Sequence, residues 1–201
     1  KVNYDQNYIR PVSGMDFNHL ALSALALKAD SFYYCDSKID VKIREARFKE
    51  KSGLQVDQLY GRFVMDSVKL QLPDICLRTP YSQLQATVDM NAFADRNPGK
   101  LMAQLKGALG RSDLFLFAGD AFPSAMKKKW PFYPMKIEGS FKGNMQQASF
   151  SGLKLSLPTA FELSADGKLG NLTDMNRLKA NVDLNARTYH LDFITAMLDP
   201  S

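Results

Sequence analysis

The residue types that most often carry out chemistry in proteins are scarce in this sequence. Its 201 residues contain two histidines, His19 and His190, and two cysteines, Cys35 and Cys76. Neither histidine has a cysteine or a second histidine at metal-ligand spacing, so we expect both to be structural. No nucleophile elbow, phosphate-binding loop, dinucleotide fingerprint or zinc motif occurs. The sequence therefore predicts no catalytic residue, no metal ligand and no cofactor, and hence no enzyme.

Acidic and basic side chains are dispersed along the chain. The 26 Lys and Arg outnumber the 21 Asp and Glu, which gives a net charge of +5 and a pI near 9.1. The carboxylates fall on the polar sides of strand-like segments, where solvation explains them and no catalytic pair can be located. This excess of positive charge is below that of a dedicated nucleic-acid binder, so we expect no nucleic-acid partner.

The cysteines and the chain start bear on the compartment of the protein. Two buried free thiols and a disulfide formed in an oxidising compartment both remain open for Cys35 and Cys76. The chain starts at Lys1 without a basic and apolar leader, so we expect a processed or excised piece of something longer. Its longest uncharged runs, 17–27 and 143–153, have 11 residues each, against the ~20 of a membrane-spanning helix. Any membrane anchor would therefore lie outside this sequence.

Alternation of apolar and polar residues with period two dominates the chain. It is clean over 83–91, 135–142 and 178–187. Successive side chains of a strand point to opposite sides, so each segment has one apolar and one polar side, as in half-solvated antiparallel sheets. We predict a mainly β fold, an elongated curved antiparallel sheet with two or three short helices. A folded-over groove and a sandwich of repeated β units are both compatible with this pattern.

The phase of the alternation changes inside two long segments. It shifts between Leu22 and Leu25, and again between Ile43 and Ala46. Either a β-bulge re-aims the side chains at these points or the strand breaks in two. Helical signals are fewer: Asn97 and Pro98 would begin a helix over 98–109. Residues 120–129 and 192–198 are the other helix candidates.

Two six-residue stretches are similar to each other. Residues 68–73 are VKLQLP and residues 153–158 are LKLSLP. Proline is excluded from central ladder positions, so Pro73 and Pro158 are expected to end strands or to lie at bulges. We expect residues 1–201 to form a single β-rich segment. A division into two β repeat units, about 18–95 and 112–187, joined by the short helix near 98–109, stays open beside chance similarity.

Residues 127–134, KKKWPFYP, combine positive charge with aromatic rings. Lys127, Lys128 and Lys129 precede Trp130, the only tryptophan. These four residues are a candidate membrane-contact loop, because amphipathic rings suit the bilayer interface and lysines suit anionic lipid. The alternative is a helix C-terminus whose lysines complement the helix dipole, followed by an aromatic loop folded onto the sheet.

Three longer stretches carry a resemblance to a known family. They are 48–63, FKEKSGLQVDQLYGRF; 70–90, LQLPDICLRTPYSQLQATVDM; and 155–172, LSLPTAFELSADGKLGNL. Together they resemble AsmA/TamB-type proteins, most closely the very long TamB-like chains of Bacteroides-type Gram-negative bacteria. The resemblance runs from about Asn18 to Leu184 and is to an interior segment. The resemblance does not decide between the AsmA and the TamB subfamily.

The resemblance implies a non-enzymatic protein that is anchored in the inner membrane and projects through the periplasm. Repeated β units of this family make a long groove with an apolar interior, implicated in moving phospholipid towards the outer membrane. TamB is also implicated in outer-membrane protein assembly. The implied partners are therefore phospholipid or another acyl-chain ligand, and outer-membrane assembly proteins.

The apolar sides of the predicted strands need a cover, which is a second sheet, the same sheet folded over, or a ligand. A closed sandwich core and a groove that admits acyl chains both meet this need. The candidate groove-lining residues are Leu84, Val88, Phe115, Ile137, Phe161 and Val182. Our function hypothesis is the shielding of phospholipid acyl chains between the two membranes. The alternative is a protein-interaction scaffold that assists outer-membrane protein assembly through edge-strand pairing.

Overall fold

The computed structural model describes residues 1–5, 8, 10, 14–16, 18–91, 99–119, 122–144, 146–171, 177–190 and 195. The strands are β1 Val2–Asp5, β2 His19–Cys35, β3 Lys38–Glu50, β4 Gln55–Met65, β5 Leu70–Arg78, β6 Gln83–Met90, β7 Leu101–Leu109, β8 Met135–Gly143, β9 Gln147–Leu157, β10 Phe161–Gly170 and β11 Lys179–Thr188. Two helices, α1 Arg111–Ala118 and α2 Ser124–Lys129, lie in the connection between β7 and β8.

All eleven strands belong to one antiparallel sheet in which each strand pairs with its neighbours in the chain, from β1 to β11. The sheet is long, curved and unclosed, and strands make up 66% of the described residues. The predicted fold class is confirmed. The sequence left open a folded-over groove and a sandwich of repeated β units. The sandwich is not seen, because in the described part of the chain the strands pack chiefly against their sequence neighbours and not against a second sheet.

Bulges account for the phase changes in the sequence. The pairing of β2 with β3 shifts between Ser23 and Ala26, and that of β3 with β4 shifts between Ile43 and Ala46. Both strands continue through these points, so the first of the two alternatives is the correct one. A bulge adds a residue to one strand and increases the local twist, which suits a curved sheet.

The two prolines of the similar stretches lie where proline is tolerated. Pro73 lies at the shift of the β5–β6 register between Leu72 and Ile75, where the ladder is interrupted. Pro158 directly follows the last residue of β9. The two stretches occupy different places, since 68–73 leads into β5 whereas 153–158 runs out of β9.

The predicted helix near 98–109 is wrong over its described part. Residues Leu101–Leu109 form β7, which pairs with β6 on one side and β8 on the other. This sequence fits period two as well as a helical period, and the two neighbouring strands supply ladder partners that a helix would leave unpaired. Asn97 and Pro98 lie outside the described residues. The described end of the predicted helix 120–129 is α2, and 192–198 falls outside the described residues except for Thr195.

A buried apolar cluster lies under the two helices. Its members are Leu114, Met126, Trp130, Met135, Leu157 and Ala160, with Leu109, Phe115, Phe122, Leu155 and Phe161 among the residues packed around them. Met135 begins β8 and Leu157 ends β9, so the cluster marks one end of the sheet. We call α1, α2 and residues 130–134 the cap.

A buried polar network ties the cap to the turn between β5 and β6. Asp113 of α1 accepts hydrogen bonds from the hydroxyls of Thr79 and Ser82, each at 2.5 Å. The Ser82 hydroxyl also accepts from the backbone N–H of Gly110 at 2.9 Å. Asp113 lies in the first turn of α1, where a carboxylate complements the helix dipole. The network therefore fixes the start of α1 against the sheet.

Candidate functional site: an apolar sheet face beside a capped end

Directly paired residues of antiparallel strands share one face of the sheet, so a face can be followed from strand to strand. The first row contains Ala46, Leu59, Leu77, Leu84, Gly107, Ile137, Leu155, Leu163 and Ala186. The second row contains Leu72, Val88, Ala103, Phe141, Phe150, Gly167 and Val182. The third contains Tyr34, Ile39, Met65, Leu70, Met90, Leu101, Gly143, Ala148, Leu169 and Ala180. We call the surface formed by these three rows the apolar face.

Four of the six candidate groove residues lie in these rows. Leu84 and Ile137 belong to the first row, and Val88 and Val182 to the second. Phe161 begins β10 on the same side, since it pairs with Leu157. The structure therefore brings five of the candidates onto one side of the sheet.

Phe115 is placed differently from the strand position that its sequence suggested. It lies on α1, and its ring centroid is 5.6 Å from that of Trp130 in an edge-on contact. Phe161 contacts the same indole at 6.4 Å. Phe115 and Phe161 therefore belong to the packed end under the cap, and the uncovered part of the apolar face lies along the strands away from it.

Side chains of the apolar face are more enclosed than those of the opposite face. Along β6 and β7 the apolar residues are half-buried, and most of the polar residues between them are exposed. Fractional exposure is scaled to the size of each side chain. The lower fractional exposure of the apolar residues therefore indicates that neighbouring side chains crowd them more closely.

The opposite face of the sheet is polar and held by cross-strand ion pairs. Arg62 binds the Asp40 carboxylate through two nitrogens, at 2.6 and 2.9 Å, and Lys28 contacts Glu45 at 2.9 Å. The hydrogen bond from Arg62 lowers the pKa of Asp40 below its ordinary value. These ion pairs indicate that this face of the sheet is in contact with solvent. The three rows of the apolar face contain no charged side chain.

A shallow depression of about 550 Å³ lies over the polar side of β5 to β9. Polar side chains and backbone line much of it, including Gln85, Gln104, Lys106 and Glu138. Lys106 and Glu138 lie 3.9 Å apart across the strands. The depression is distinct from the apolar groove that the sequence predicts, because it lies on the other side of the sheet.

The prediction of a membrane-contact loop at Lys127, Lys128, Lys129 and Trp130 is wrong for Trp130. Lys127, Lys128 and Lys129 form the last turn of α2, as the helix alternative has it. The Trp130 side chain is only 3% exposed, because its ring fills the space between the helices and the sheet. Within residues 127–134 the exposed aromatic residues are Phe132 and Tyr133. They lie between Pro131 and Pro134 in the same segment, next to the four candidate residues.

The histidines and cysteines are not brought together. His19 is buried, with Nδ1 2.8 Å from an Asp16 carboxylate oxygen, whereas His190 is exposed. Cys35 and Cys76 are both free, and Cys35 is exposed rather than buried. Among the described residues, no group of three His, Cys, Asp or Glu side chains is arranged to hold a metal ion.

These features define the class of the protein, an open curved antiparallel sheet with one apolar and one polar face and a helical cap at one end. No family model, curated protein or solved structure matches the chain. Neither helix of the described residues is long and apolar enough to cross a bilayer.

Proposed function

We propose that this chain is a non-enzymatic segment of a periplasmic AsmA/TamB-like protein that belongs to an inner-membrane-anchored assembly. In this proposal its apolar face shields phospholipid acyl chains during transport between the inner and outer membranes. The observation that carries the proposal is the continuity of that face. Three rows of paired residues cross the sheet, and these rows contain no charged side chain.

The dimensions and energetics of the face suit a chain that moves along it. Neighbouring strands are about 4.8 Å apart, so a row over ten strands extends roughly 40 Å. Each buried methylene of an acyl chain contributes about 0.8 kcal/mol. Because successive positions along a row are chemically alike, a bound chain can shift from one strand to the next with little change in free energy. The headgroup stays in water beyond the rows.

Binding of a fluorescent fatty acid in vesicle-free solution tests the proposal. Val88→Asp places a carboxylate in the second row on a half-buried position, and we expect affinity to fall at least about tenfold, which is ~1.4 kcal/mol. Gln104→Asp is the matched control, since Gln104 is exposed on the polar side of the adjacent strand. The control is expected to bind as the wild type does.

A second variant tests whether a loss of binding could be caused by misfolding. Val182 lies in the same row on the edge strand and is 39% exposed, so Val182→Asp keeps its carboxylate hydrated. We expect a melting temperature close to that of the wild type together with weakened fatty-acid binding. Equal binding by the wild type and all three variants would refute the proposal. Phospholipid found by mass spectrometry in the purified protein would support it.

The edge of the sheet favours one alternative function, a scaffold for outer-membrane protein assembly. Among the described strands, β11 pairs with β10 alone, and its residues up to Arg187 are exposed. Such an edge is a template for another strand. A photo-crosslinking residue at Leu184, which is 62% exposed, would then capture an outer-membrane assembly protein, and the same residue at Gln104 would not.

A further inference from the structure

We propose that the cap carries a docking site for an anionic bilayer surface, formed by Phe132 and Tyr133 together with Lys127, Lys128 and Lys129. In its biological role the site rests on the proposed function, because a lipid carrier must meet a membrane to load or unload. Its physical basis is separate from the apolar face.

Two buried residues anchor the loop that presents the aromatic rings. Trp130 and Met135 are 3% and 6% exposed, and both belong to the cluster under the cap. Between them, Pro131 and Pro134 each fix one backbone dihedral. The short segment that remains holds Phe132, 87% exposed, and Tyr133, 58% exposed. The two rings therefore project from a loop whose ends are fixed, which lowers the entropy lost on binding.

Arg111 connects this loop to both helices. Its guanidinium donates a hydrogen bond to the backbone carbonyl of Lys127 at 2.8 Å. The same group lies 5.0 Å from the centre of the Phe132 ring and 5.7 Å from that of Phe115. Both distances are in the range of a cation–π contact. Arg111 thus holds the exposed ring next to the last turn of α2, where the lysines lie.

The segment that carries the rings has charge of a single sign. Residues 122–136 contain four lysines and no aspartate or glutamate. The side chains of Lys128 and Lys129 are exposed in the last turn of α2. A cationic group beside protruding aromatic rings complements an anionic membrane interface, which takes rings at headgroup depth and lysines at its surface. An acidic protein surface would attract the lysines but would leave the Phe132 ring without an apolar environment.

Vesicle flotation tests the site. Wild-type protein should float with phosphatidylcholine vesicles that contain phosphatidylglycerol and stay behind with phosphatidylcholine alone, and added salt should release it. Replacing Lys127, Lys128 and Lys129 by Gln should lower the partition coefficient about a hundredfold, at roughly fivefold for each lysine. The double variant Phe132→Ser, Tyr133→Ser should lower it at least about tenfold, because the apolar contact is lost.

A matched control separates the site from net charge. Lys142, Lys154 and Lys168 are exposed on the polar face of the sheet, and their replacement by Gln removes the same charge. This control should keep most of the binding. Equal losses in both lysine variants, equal binding to neutral vesicles, or no loss in the double aromatic variant would overturn the proposal.

The two proposals fail in different measurements. The cap variants should bind fluorescent fatty acid in vesicle-free solution as the wild type does, since the changed side chains lie outside the rows of the apolar face. Conversely, Val88→Asp should float with anionic vesicles as the wild type does. Retained flotation by the wild type together with no fatty-acid binding by the wild type would leave the docking site standing and remove the proposed function alone.

Discussion

Trp130 and Phe132 are separated by one residue, yet their side chains are 3% and 87% exposed. The indole packs edge-on against Phe115 and Phe122 at 5.6 and 5.4 Å, whereas the Phe132 ring stands outside the cluster near Arg111. One side chain thus fixes the cap and the next aromatic ring is free to contact something else.

Removing these two rings should have unequal effects on stability. We expect Trp130→Ala to lower the free energy of unfolding by about 3–5 kcal/mol, because it empties the centre of the cluster. Phe132→Ala should change it by less than about 0.5 kcal/mol. Urea unfolding followed by circular dichroism measures both, since the only tryptophan is lost in the first variant. Similar losses in the two variants would contradict the cap as described.

The buried network at the start of α1 should depend on the Asp113 carboxylate. Asp113→Ala leaves the hydroxyls of Thr79 and Ser82 without their acceptor. We expect a loss of about 2–3 kcal/mol in urea unfolding, the cost of stranding buried donors. Ser112→Ala, at the adjacent exposed position of the same helix, is the control and should be nearly neutral. A neutral result for Asp113→Ala would mean that water or another group replaces the carboxylate.

Acid should destabilise the protein through carboxylates that are held ionised. The pKa of Glu50 lies below its ordinary value of 4.5: burial would raise it, but hydrogen bonds from Ser52 and from the backbone N–H of Ala21 outweigh burial. The pKa of Asp66 is likewise lowered, by the backbone N–H groups of Val68 and Lys69. The unfolded chain therefore binds more protons, so this stabilisation is complete above about pH 4.5 and is lost as the pH falls through the lower folded values.

Glu50→Gln checks this account. At neutral pH the variant should be less stable, because the amide cannot accept both backbone hydrogen bonds as the carboxylate does. Between about pH 5 and pH 3 its urea midpoint should fall less steeply than that of the wild type, since one of the groups that takes up a proton is gone. Parallel pH profiles of the two proteins would show that Glu50 does not contribute to the acid response.

Substitution of two glycines separates the cost of backbone strain from the cost of a steric clash. Gly61 and Gly53 have φ of +137° and +105°, a region that other residues rarely adopt. A Cβ at Gly61 would lie 1.9 Å from the carbonyl oxygen of Asp74, whereas at Gly53 it would meet nothing within 4 Å. Gly53→Ala should cost about 1–3 kcal/mol from strain alone. Gly61→Ala should cost more than that, and equal losses in thermal melting would argue against the tight approach of β4 and β5.

The sequence predicted the strands best where alternation was uninterrupted. Segments 83–91 and 135–142 correspond closely to β6 and β8, because a half-buried strand imposes period two on its residues. The segment 101–109 was misassigned, since its apolar residues fit two periods and the decision came from strand partners on both sides. Helix α1 carries no side-chain cap at its N-terminus, so the usual start signal is absent.

The candidate site was predictable in part for a related reason. Alternation alone puts Leu84 and Val88 on one side of their own strand. It does not say that Val88 and Val182 share a row, which depends on register across five intervening pairings. The burial of Trp130 and the exposure of Phe132 depend on packing between helices and sheet, which local sequence does not encode.

The order of the strands has a consequence for how the protein is made. Because every strand pairs with those adjacent in the chain, the sheet behaves as a one-dimensional array whose cohesion is the sum of nearest-neighbour terms. A polypeptide delivered N-terminus first can add each new hairpin to a finished template, without waiting for a distant partner. By the same logic, insertion or loss of a hairpin lengthens or shortens the array and leaves the remaining pairings as they were.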